Sequence, residues 1–352
     1  MTRAHVPSAA EFRFALPRRL EASGPPESRG LPRDSVRLLV SDRGRVEHTR
    51  FHNLPHFLEA GDVVVVNASS TLAAAVDGTV DAVGPVVAHF STDLGNGDWA
   101  VEVRAPGPAS GALDTVAAGT RIILPRGVVA TLVEPWPHGS TRLWRASIDG
   151  VADVAAELLA TSGRPITYAY VHERWPLSSY QTIFGRSGGS AEMASAARPF
   201  THPMVTDLAT SGVVVAPILL HTGVSSPERG EPPIPEPYEV PEQTARLVND
   251  RRAAGGRVIA VGTTVTRALE TQATSDGMSV AGAGWTDLVL SAERPARVVD
   301  GLVTGWHAPG ASHLMLLESV VGEAAVRRAY DEALSRGYLW HEFGDSALLL
   351  RQ

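Results

Sequence analysis

The 352-residue chain contains no cysteine and no lysine. Without cysteine it forms no disulfide, offers no thiolate nucleophile and builds no cysteine-ligated zinc site. Without lysine, Schiff-base catalysis is closed to it, and all 31 of its basic side chains are arginine. No apolar run reaches the length of a membrane span, so no membrane partner is expected. The N-terminal stretch MTRAHVPSAAEFRFALPRRLEASG has basic residues but no apolar core followed by a small-residue cleavage site. No export signal is therefore expected, and on that ground alone the expected location is the cytoplasm. The formal net charge is −7, which argues against sequence-blind binding to nucleic acid, since that rests on neutralising phosphates. A local basic patch stays open: Arg18, Arg19, Arg29, Arg33, Arg37, Arg43, Arg45 and Arg50 crowd the first fifty residues. Taken alone, these are equally well solvated surface arginines.

What is present is ordinary globular material, 44% hydrophobic and 20% charged, in a chain long enough for two domains or one domain with an insertion. Residues 60–150 read as β structure. GDVVVVN, TLAAAV, GPVVAHFS, WAVEVRA, TRIILP, VVATLVE and TRLWRASI are short β-branched runs punctuated by Gly, Pro, Asp and Asn, the rhythm of a small barrel or sandwich. From about residue 151 the period changes. VADVAAELLATSG has helical spacing and stops at Gly163. Strands then alternate with helices: SGVVVAPILLH, PEQTARLVNDRRAAGG, RVIAVG, TTVTRALETQAT, TDLVLS, RVVDGLVTG and the helical SHLMLLESVVGEAAVRRAYDEALSRG. The expected fold is α/β, a mostly parallel sheet covered by helices, with an inserted all-β barrel-like domain. The expected division is 1–62 with 151–352 as a discontinuous α/β domain, and 63–150 as the insert. SSPERGEPPIPEPYEVPEQ is too rich in proline for a central strand or a helix interior and is expected to be an irregular loop.

Four junctions carry chemistry. In RVIAVGTTVTRALET a buried strand ends at Gly262, and Thr263, Thr264 and Thr266 open a helix whose free N–H groups suit an anion or a polar ligand edge. Arg267 could add a bidentate contact to a carboxylate, and Glu270 could accept from a ribose hydroxyl or an amine. The same residues also make a plain strand–cap–helix junction, and the segment has neither a Walker loop nor GxGxxG. In VVDGLVTGWHAPG, His307 follows a strand, where open α/β sheets place ligands, and is available for acid–base work or simply for tying down its loop. PILLHTG puts His221 after a strand on the same logic, and GWTDLVLS sets Trp285 and Thr286 beside the carboxylate of Asp287. His48, His52 and His56 recur every fourth residue, but the backbone between the first two reads as extended and Pro55 interrupts a helix. No metal is expected there or elsewhere.

These junctions, in this order, resemble the S-adenosylmethionine:tRNA ribosyltransferase-isomerase family of queuosine synthesis. PRDSVRLLVSDR at 32–43 is similar to the family's RDxSRLLVLDR, and SSYQTIF at 178–184 to RYQTVYA. FHNLPHFLEAGDVVVVN, YEVPEQTA, RVIAVGTTVTRALE, AGAGWTDLVL, the LLTNFH-like LVTGWH and the terminal FGDSALLL fall in register. The resemblance implies an α/β domain with an inserted barrel. It also implies transfer and isomerisation of the ribosyl part of S-adenosylmethionine onto 7-aminomethyl-7-deazaguanine in tRNA, giving epoxyqueuosine and releasing adenine and methionine. S-adenosylmethionine is then the co-substrate and tRNA the partner, with a monomer or weak homo-oligomer as the assembly. The sulfonium acidifies C5′, so a general base can make an ylide, and the site must keep reactive intermediates from water. On the resemblance, His221, Glu236, Asp287 and His307 are the catalytic candidates. Gly262, Thr263, Thr264, Arg267, Glu270, Trp285 and Thr286 take the co-substrate, and Arg37, Tyr180, Gln181, Ser190, Ser195 and Arg198 the acceptor.

Departures cluster in the acceptor segments. The pattern GSVAAPTAGLHFT aligns without gaps to GSAEMASAARPFT at 189–201, replacing Pro, Gly and His by Ala194, Ala197 and Pro199 and adding the charge of Arg198. LHVGxGTFxPV becomes LHTGVSSPERG, HxMHxE keeps only Glu236 with Glu231 and Ile234 at the histidine positions, and NDTR becomes Asn67, Ala68, Ser69 and Ser70. A site that hydrogen-bonds a polar substrate discriminates poorly once those partners are gone. Two further functions therefore stand beside the first: a related S-adenosylmethionine-using enzyme with a small-molecule acceptor or intramolecular ring chemistry, and a non-catalytic ligand-binding homologue.

Overall fold

The valines after Asp62 set the frame. In the computed structural model, which describes residues 14–81, 83–107, 111–224 and 233–351, the strand Val63–Asn67 is wholly buried. Val63 and Val65 face one core while Val64 and Val66 face another, as alternation requires when both faces of a sheet are covered. Parallel neighbours flank this strand, Val214–Leu220 on one side and Val258–Val261 on the other. The complete sheet runs Gly282–Thr286, Glu236–Val240, Val214–Leu220, Val63–Asn67, Val258–Val261, Gly301–Gly305, Ser346–Leu350, Arg37–Asp42 and Arg45–Arg50. Helices Glu242–Ala253, Thr263–Thr271, His313–Val321 and Glu323–Ser335 pack on one face. The short helix Phe51–Phe57 and the helix His202–Thr210 pack on the other.

The sheet is mixed, not mostly parallel: four of its eight pairings are parallel and four antiparallel. The reason lies in the connections. Val214–Leu220, Val63–Asn67, Val258–Val261 and Gly301–Gly305 are parallel neighbours, but Gly301–Gly305 is followed by two helices, which return the chain to the end it left. Ser346–Leu350 therefore enters antiparallel beside it. That helical stretch, continuous by its periodicity, is split at Gly322, whose φ of 85° no helix accommodates.

Three further expectations shift. GDVVVVN belongs to this sheet and not with the β-rich segment, because a short apolar run looks alike in a barrel and in a buried parallel strand. TDLVLS is not a strand; Gly282–Thr286 pairs instead, and Leu288 and Leu290 reach the core from irregular backbone. Of the proline-rich stretch, residues 225–232, including Glu231, lie outside the described residues, but Glu236–Val240 is a strand with neighbours on both sides. Pro237 fits there because its carbonyl is used, accepting from the His221 amide at 3.0 Å.

Six antiparallel strands, Ala75–Val80, Gly84–Gly95, Asp98–Arg104, Arg121–Ile123, Val129–Pro135 and Leu143–Asp149, close into a barrel. A short helix over Val154–Leu159, continued by Ala160–Ser162, adds Val154, Leu158 and Leu159 to the barrel core. It ends at Gly163, where a Cβ would collide with the Ala73 carbonyl. Ala191, Val224 and Ile234 also join the barrel core, so the segments leaving the sheet reach across to the barrel. Among the described residues no helix is long and apolar enough to cross a membrane.

Candidate active site

The strands Val63–Asn67, Val214–Leu220, Val258–Val261 and Gly301–Gly305 all run the same way, and their carboxyl ends release Ser69, His221, Gly262 and Trp306 toward the barrel. A cleft of about 340 Å³ lies there, with a smaller lobe of about 110 Å³. Thr222, Thr263, Thr264, Ala311 and His313 line both parts. Open α/β sheets place ligands at this position.

The helix Thr263–Thr271 starts at the cleft after Gly262, whose φ is 95°. Arg267, one turn on, is buried and committed to protein groups. Its Nε donates to the Leu288 carbonyl at 3.3 Å, its second amino group to the carbonyls of Thr286 at 2.9 Å and Ile234 at 3.4 Å, and its first to the Glu236 carboxylate. Glu236 also accepts from the Gly223 amide at 3.0 Å. Burial pushes the Glu236 carboxyl up, against the pull of Arg267 and Gly223. Glu270 points away from the cleft and takes the amides of Arg297, Val298 and Val299 at 2.8, 2.9 and 2.9 Å, so its carboxylate anchors a loop and not a ribose. Thr286 is buried and shares its hydroxyl with Thr271 at 2.6 Å. Trp285, 47% exposed, lies on the outer edge strand against Trp136 of the barrel. Asp287 is exposed and lines neither lobe. The outward alternation of an edge strand removes both from the group.

The imidazoles of His307, His313 and His341 line the main lobe, whereas His221 lines neither lobe and stands in a hydrogen-bond relay beside the lining residue Thr222. His221 Nδ1 lies 2.8 Å from Ser69 Oγ, which lies 2.6 Å from Ser190 Oγ, and Ser190 Oγ accepts from the Thr222 amide at 2.9 Å. A Cβ at Gly189 would collide with the His221 ring, so glycine is needed for this approach. Burial lowers the His221 pKa, and Asp93 opposes the shift. His307 hydrogen-bonds Thr304 Oγ1 through Nε2 at 3.0 Å and stacks on His313, the rings 4.5 Å apart and 4° from parallel. Burial holds His307 well below its ordinary value, aided by repulsion from His313 and His341, and brings His313 to about 4. The stacked pair is neutral at physiological pH. His313 was not a sequence candidate, although a histidine opening a helix six residues after His307 was a usable signal.

The acceptor candidates divide. Tyr180 and Ser195 line the main lobe. Ser190 serves the His221 relay. Gln181 clamps the Thr71 backbone, accepting its N–H at 3.1 Å and donating to its carbonyl at 2.8 Å. Arg198 is buried against Glu27 at 2.9 Å and the Ser179 carbonyl at 2.8 Å. Arg37 pairs with Asp345 at 2.8 Å and lies over the Tyr338 ring. Both arginines are thus paired with carboxylates far away in sequence; Arg198 is enclosed, while Arg37 stays partly exposed beside Arg50 and Arg336. The main lobe is also lined by Tyr168, Tyr170, Glu192, His341 and Glu342, none of them anticipated. Tyr180 Oη, Trp306 Nε1 and Thr222 Oγ1 are buried without a hydrogen-bond partner among the described residues, and all three residues line this lobe. His48 sits on a strand, bonded to Tyr338 Oη at 2.9 Å, while His52 and His56 lie on the following short helix, so the three do not share a helical face.

The sequence profile of the family described as "Queuosine biosynthesis protein" matches residues 9–349. The chain is 35% identical to the S-adenosylmethionine:tRNA ribosyltransferase-isomerase of Moorella thermoacetica, over 97% of this chain and 99% of that protein. It is 34% identical to the enzyme of the same name from Symbiobacterium thermophilum, with the same coverage. The crystal structure of an S-adenosylmethionine tRNA ribosyltransferase from Thermotoga maritima superposes with a TM-score of 0.54 at 28% identity, covering 96% of this chain and 99% of that one.

Proposed function

The chain belongs to the queuosine biosynthesis protein family, and from that membership we propose that it is an S-adenosylmethionine:tRNA ribosyltransferase-isomerase acting on 7-aminomethyl-7-deazaguanine in tRNA. The observation that carries the reading is an end-to-end match to enzymes of that name, in a chain whose cleft is lined by His307, His313 and His341 together with the start of the helix Thr263–Thr271. Thr263 and Thr264 suit a polar edge of the co-substrate, since backbone donors at a helix start favour acceptors and anions. Neutral imidazole is the state a general base needs. One ring of the His307–His313 pair accepts a proton from the carbon beside the sulfonium and returns it to the nitrogen of departing adenine. His221, held by Ser69 and Ser190, offers a second acid–base position. The Glu236–Arg267 pair fixes Gly223 and the loop after His221, a positioning role.

The test is incubation with S-adenosylmethionine, with and without tRNA carrying the aminomethyl base. Adenine, methionine and the epoxide-bearing nucleoside are expected only when the RNA is present, and less of each as salt rises and phosphate contacts weaken. A second reading, a small-molecule acceptor or intramolecular ring chemistry, draws on the internal pairing of Arg37 and Arg198 and on the uncharged Asn67–Ser70 segment. Release of adenine and methionine by nuclease-treated protein at any salt would establish it in place of the first. Binding without turnover under all these conditions would leave a ligand-binding homologue.

A further inference from the structure

The rim of the sheet beside the cleft carries cations that the proposed chemistry does not use. Gly305, at the cleft, is level with Ser346 on the next strand, and Ser346 with Leu38 on the one after. Arg37 precedes Leu38 and stands directly across from Arg50 on the edge strand Arg45–Arg50. Both arginines therefore lie at the cleft end of the sheet, the edge strand about 14 Å from Gly305 by the usual strand spacing. Arg336 and His48 join them around an open hollow floored by Tyr338. Ser195, Gly305, His341 and Glu342 line both the main lobe and a narrow crevice that runs on to Asp345, the partner of Arg37. The hollow shares no lining residue with either lobe of the cleft.

Three arginines here meet two carboxylates. Asp345 takes Arg37 at 2.8 Å, and Glu332 takes Arg336 at 3.3 Å. Arg50 gives one amino group to the Ser35 carbonyl at 2.7 Å, and its other donors have no partner among the described residues. Both amino groups of Arg336 are likewise without one, on a side chain 59% exposed. Burial lowers the pKa of His48, and repulsion from Arg336 and Arg37 adds to the shift against the pull of Glu332. Like charges directly opposite on antiparallel strands cost stability, a cost that a bound anion relieves. Charge on an edge strand also discourages edge-to-edge pairing, but Arg336 comes from a helix end off the sheet, where that purpose calls for no cation. Exposed guanidinium groups with unused donors suit phosphate oxygens. We infer that Arg37, Arg50 and Arg336 form a docking surface for the phosphate backbone of the RNA whose base enters the cleft. The inference rests on the function proposed above and deepens it by placing the partner on one rim of the sheet.

The experiment measures binding of tRNA carrying the aminomethyl base to the full chain and to the double variant R50Q/R336Q over a range of salt. Glutamine removes the charge and keeps an amide donor, Arg37 is left in place to hold Asp345, and circular dichroism checks the fold. Loss of two phosphate contacts should make the slope of log affinity against log salt shallower by about 1.4–1.8 and weaken binding about tenfold or more near 0.1 M salt. S-adenosylmethionine should bind as before. R43Q/R45Q loses the same charge at the far end of the same two strands, about 17 Å away and beyond the Debye length of about 10 Å, so it should bind RNA as the wild type does. The inference is overturned if R50Q/R336Q keeps the wild-type slope, if R43Q/R45Q loses as much, or if the wild type binds no RNA. It is equally overturned if S-adenosylmethionine binding falls in R50Q/R336Q, since these arginines would then serve the donor. Turnover of the modified tRNA by the wild type is scored separately. Turnover with an unchanged slope in R50Q/R336Q leaves the proposed function standing and removes the docking surface, and a shallower slope without any turnover does the reverse.

Discussion

Arg267→Ala should unfold this protein more readily without touching co-substrate affinity. Arg267 is buried and gives hydrogen bonds to Glu236 and to three carbonyls, those of Ile234, Thr286 and Leu288. Its removal strands the Glu236 carboxylate, itself buried, with only the Gly223 amide beside it. Breaking one side of a buried ion pair costs about 3–5 kcal/mol, a large share of the roughly 5–15 kcal/mol by which proteins are stable. At an unfolding entropy of about 2.1 cal/mol/K per residue, a chain of 352 residues should melt about 4–7 °C lower. Calorimetry and chemical denaturation read the loss directly. Arg267→Met combined with Glu236→Gln should recover more than half of it, because the amide still accepts from Gly223 and no charge is left buried. The decisive comparison is with co-substrate binding in the folded fraction. If Arg267→Ala melts within about 1 °C of wild type while its affinity for S-adenosylmethionine falls tenfold or more, Arg267 is a ligand contact and the reasoning from its internal bonds is refuted.

Gly189→Ala should push the His221 ring out of register with Ser69 while leaving the fold intact. An angstrom-scale misplacement costs up to about 100-fold in rate, and an unchanged kcat would remove His221 from the chemistry. Glu270→Ala strands the amides of Arg297, Val298 and Val299, so a loss of about 3 kcal/mol or more is expected at about 1 kcal/mol for each. Urea denaturation checks this, and a variant as stable as wild type but weak in ligand binding would return Glu270 to the co-substrate. The histidines set a pH dependence. His307 and His313 have folded pKa values below the ordinary value of about 6.5, that of His313 at about 4. Between those limits the unfolded chain binds more protons, so stability should fall as pH drops from about 6.5 toward 4. His313→Gln should make the decline of the urea midpoint between pH 6.5 and 5 shallower, and an unchanged slope would show that the imidazole is not held neutral.

How far the sequence could be read depended on whether the deciding partner was local. The placing of Thr263, Thr264 and His307 at the cleft was legible because the end of a buried strand is a short-range pattern, and strand ends are where an α/β sheet puts its ligands; His221, read on the same logic, lines neither lobe. The Val63–Val66 run was legible as strand but not as to which sheet, since continuous burial erases the alternation that would tell them apart. One of the four antiparallel pairings turned on Gly322, where a positive φ makes two helices of one and reverses the strand that follows; the other three come from Arg45–Arg50, Glu236–Val240 and Gly282–Thr286, elsewhere in the chain. Arg37 and Arg198 looked available because the carboxylates that take them stand 308 and 171 residues away, and only the fold brings Asp345 and Glu27 to them. Glu270 was misread for a related reason: a carboxylate facing three backbone amides has the same sequence signature as one facing a ligand. The part of the cleft lined by Tyr168, Tyr170, Glu192, His341 and Glu342 was the least legible. Its five residues come from three separate segments, 168–170, 192 and 341–342, and in none of them does a carboxylate or a ring stand at a spacing that means anything alone. Stacking and shared burial make them a site. Pairing takes up Arg37 and Arg198, but Arg18, Arg19, Arg29, Arg43, Arg45 and Arg50 stay exposed, so an acidic chain still keeps a local basic surface with which to meet the backbone of an RNA.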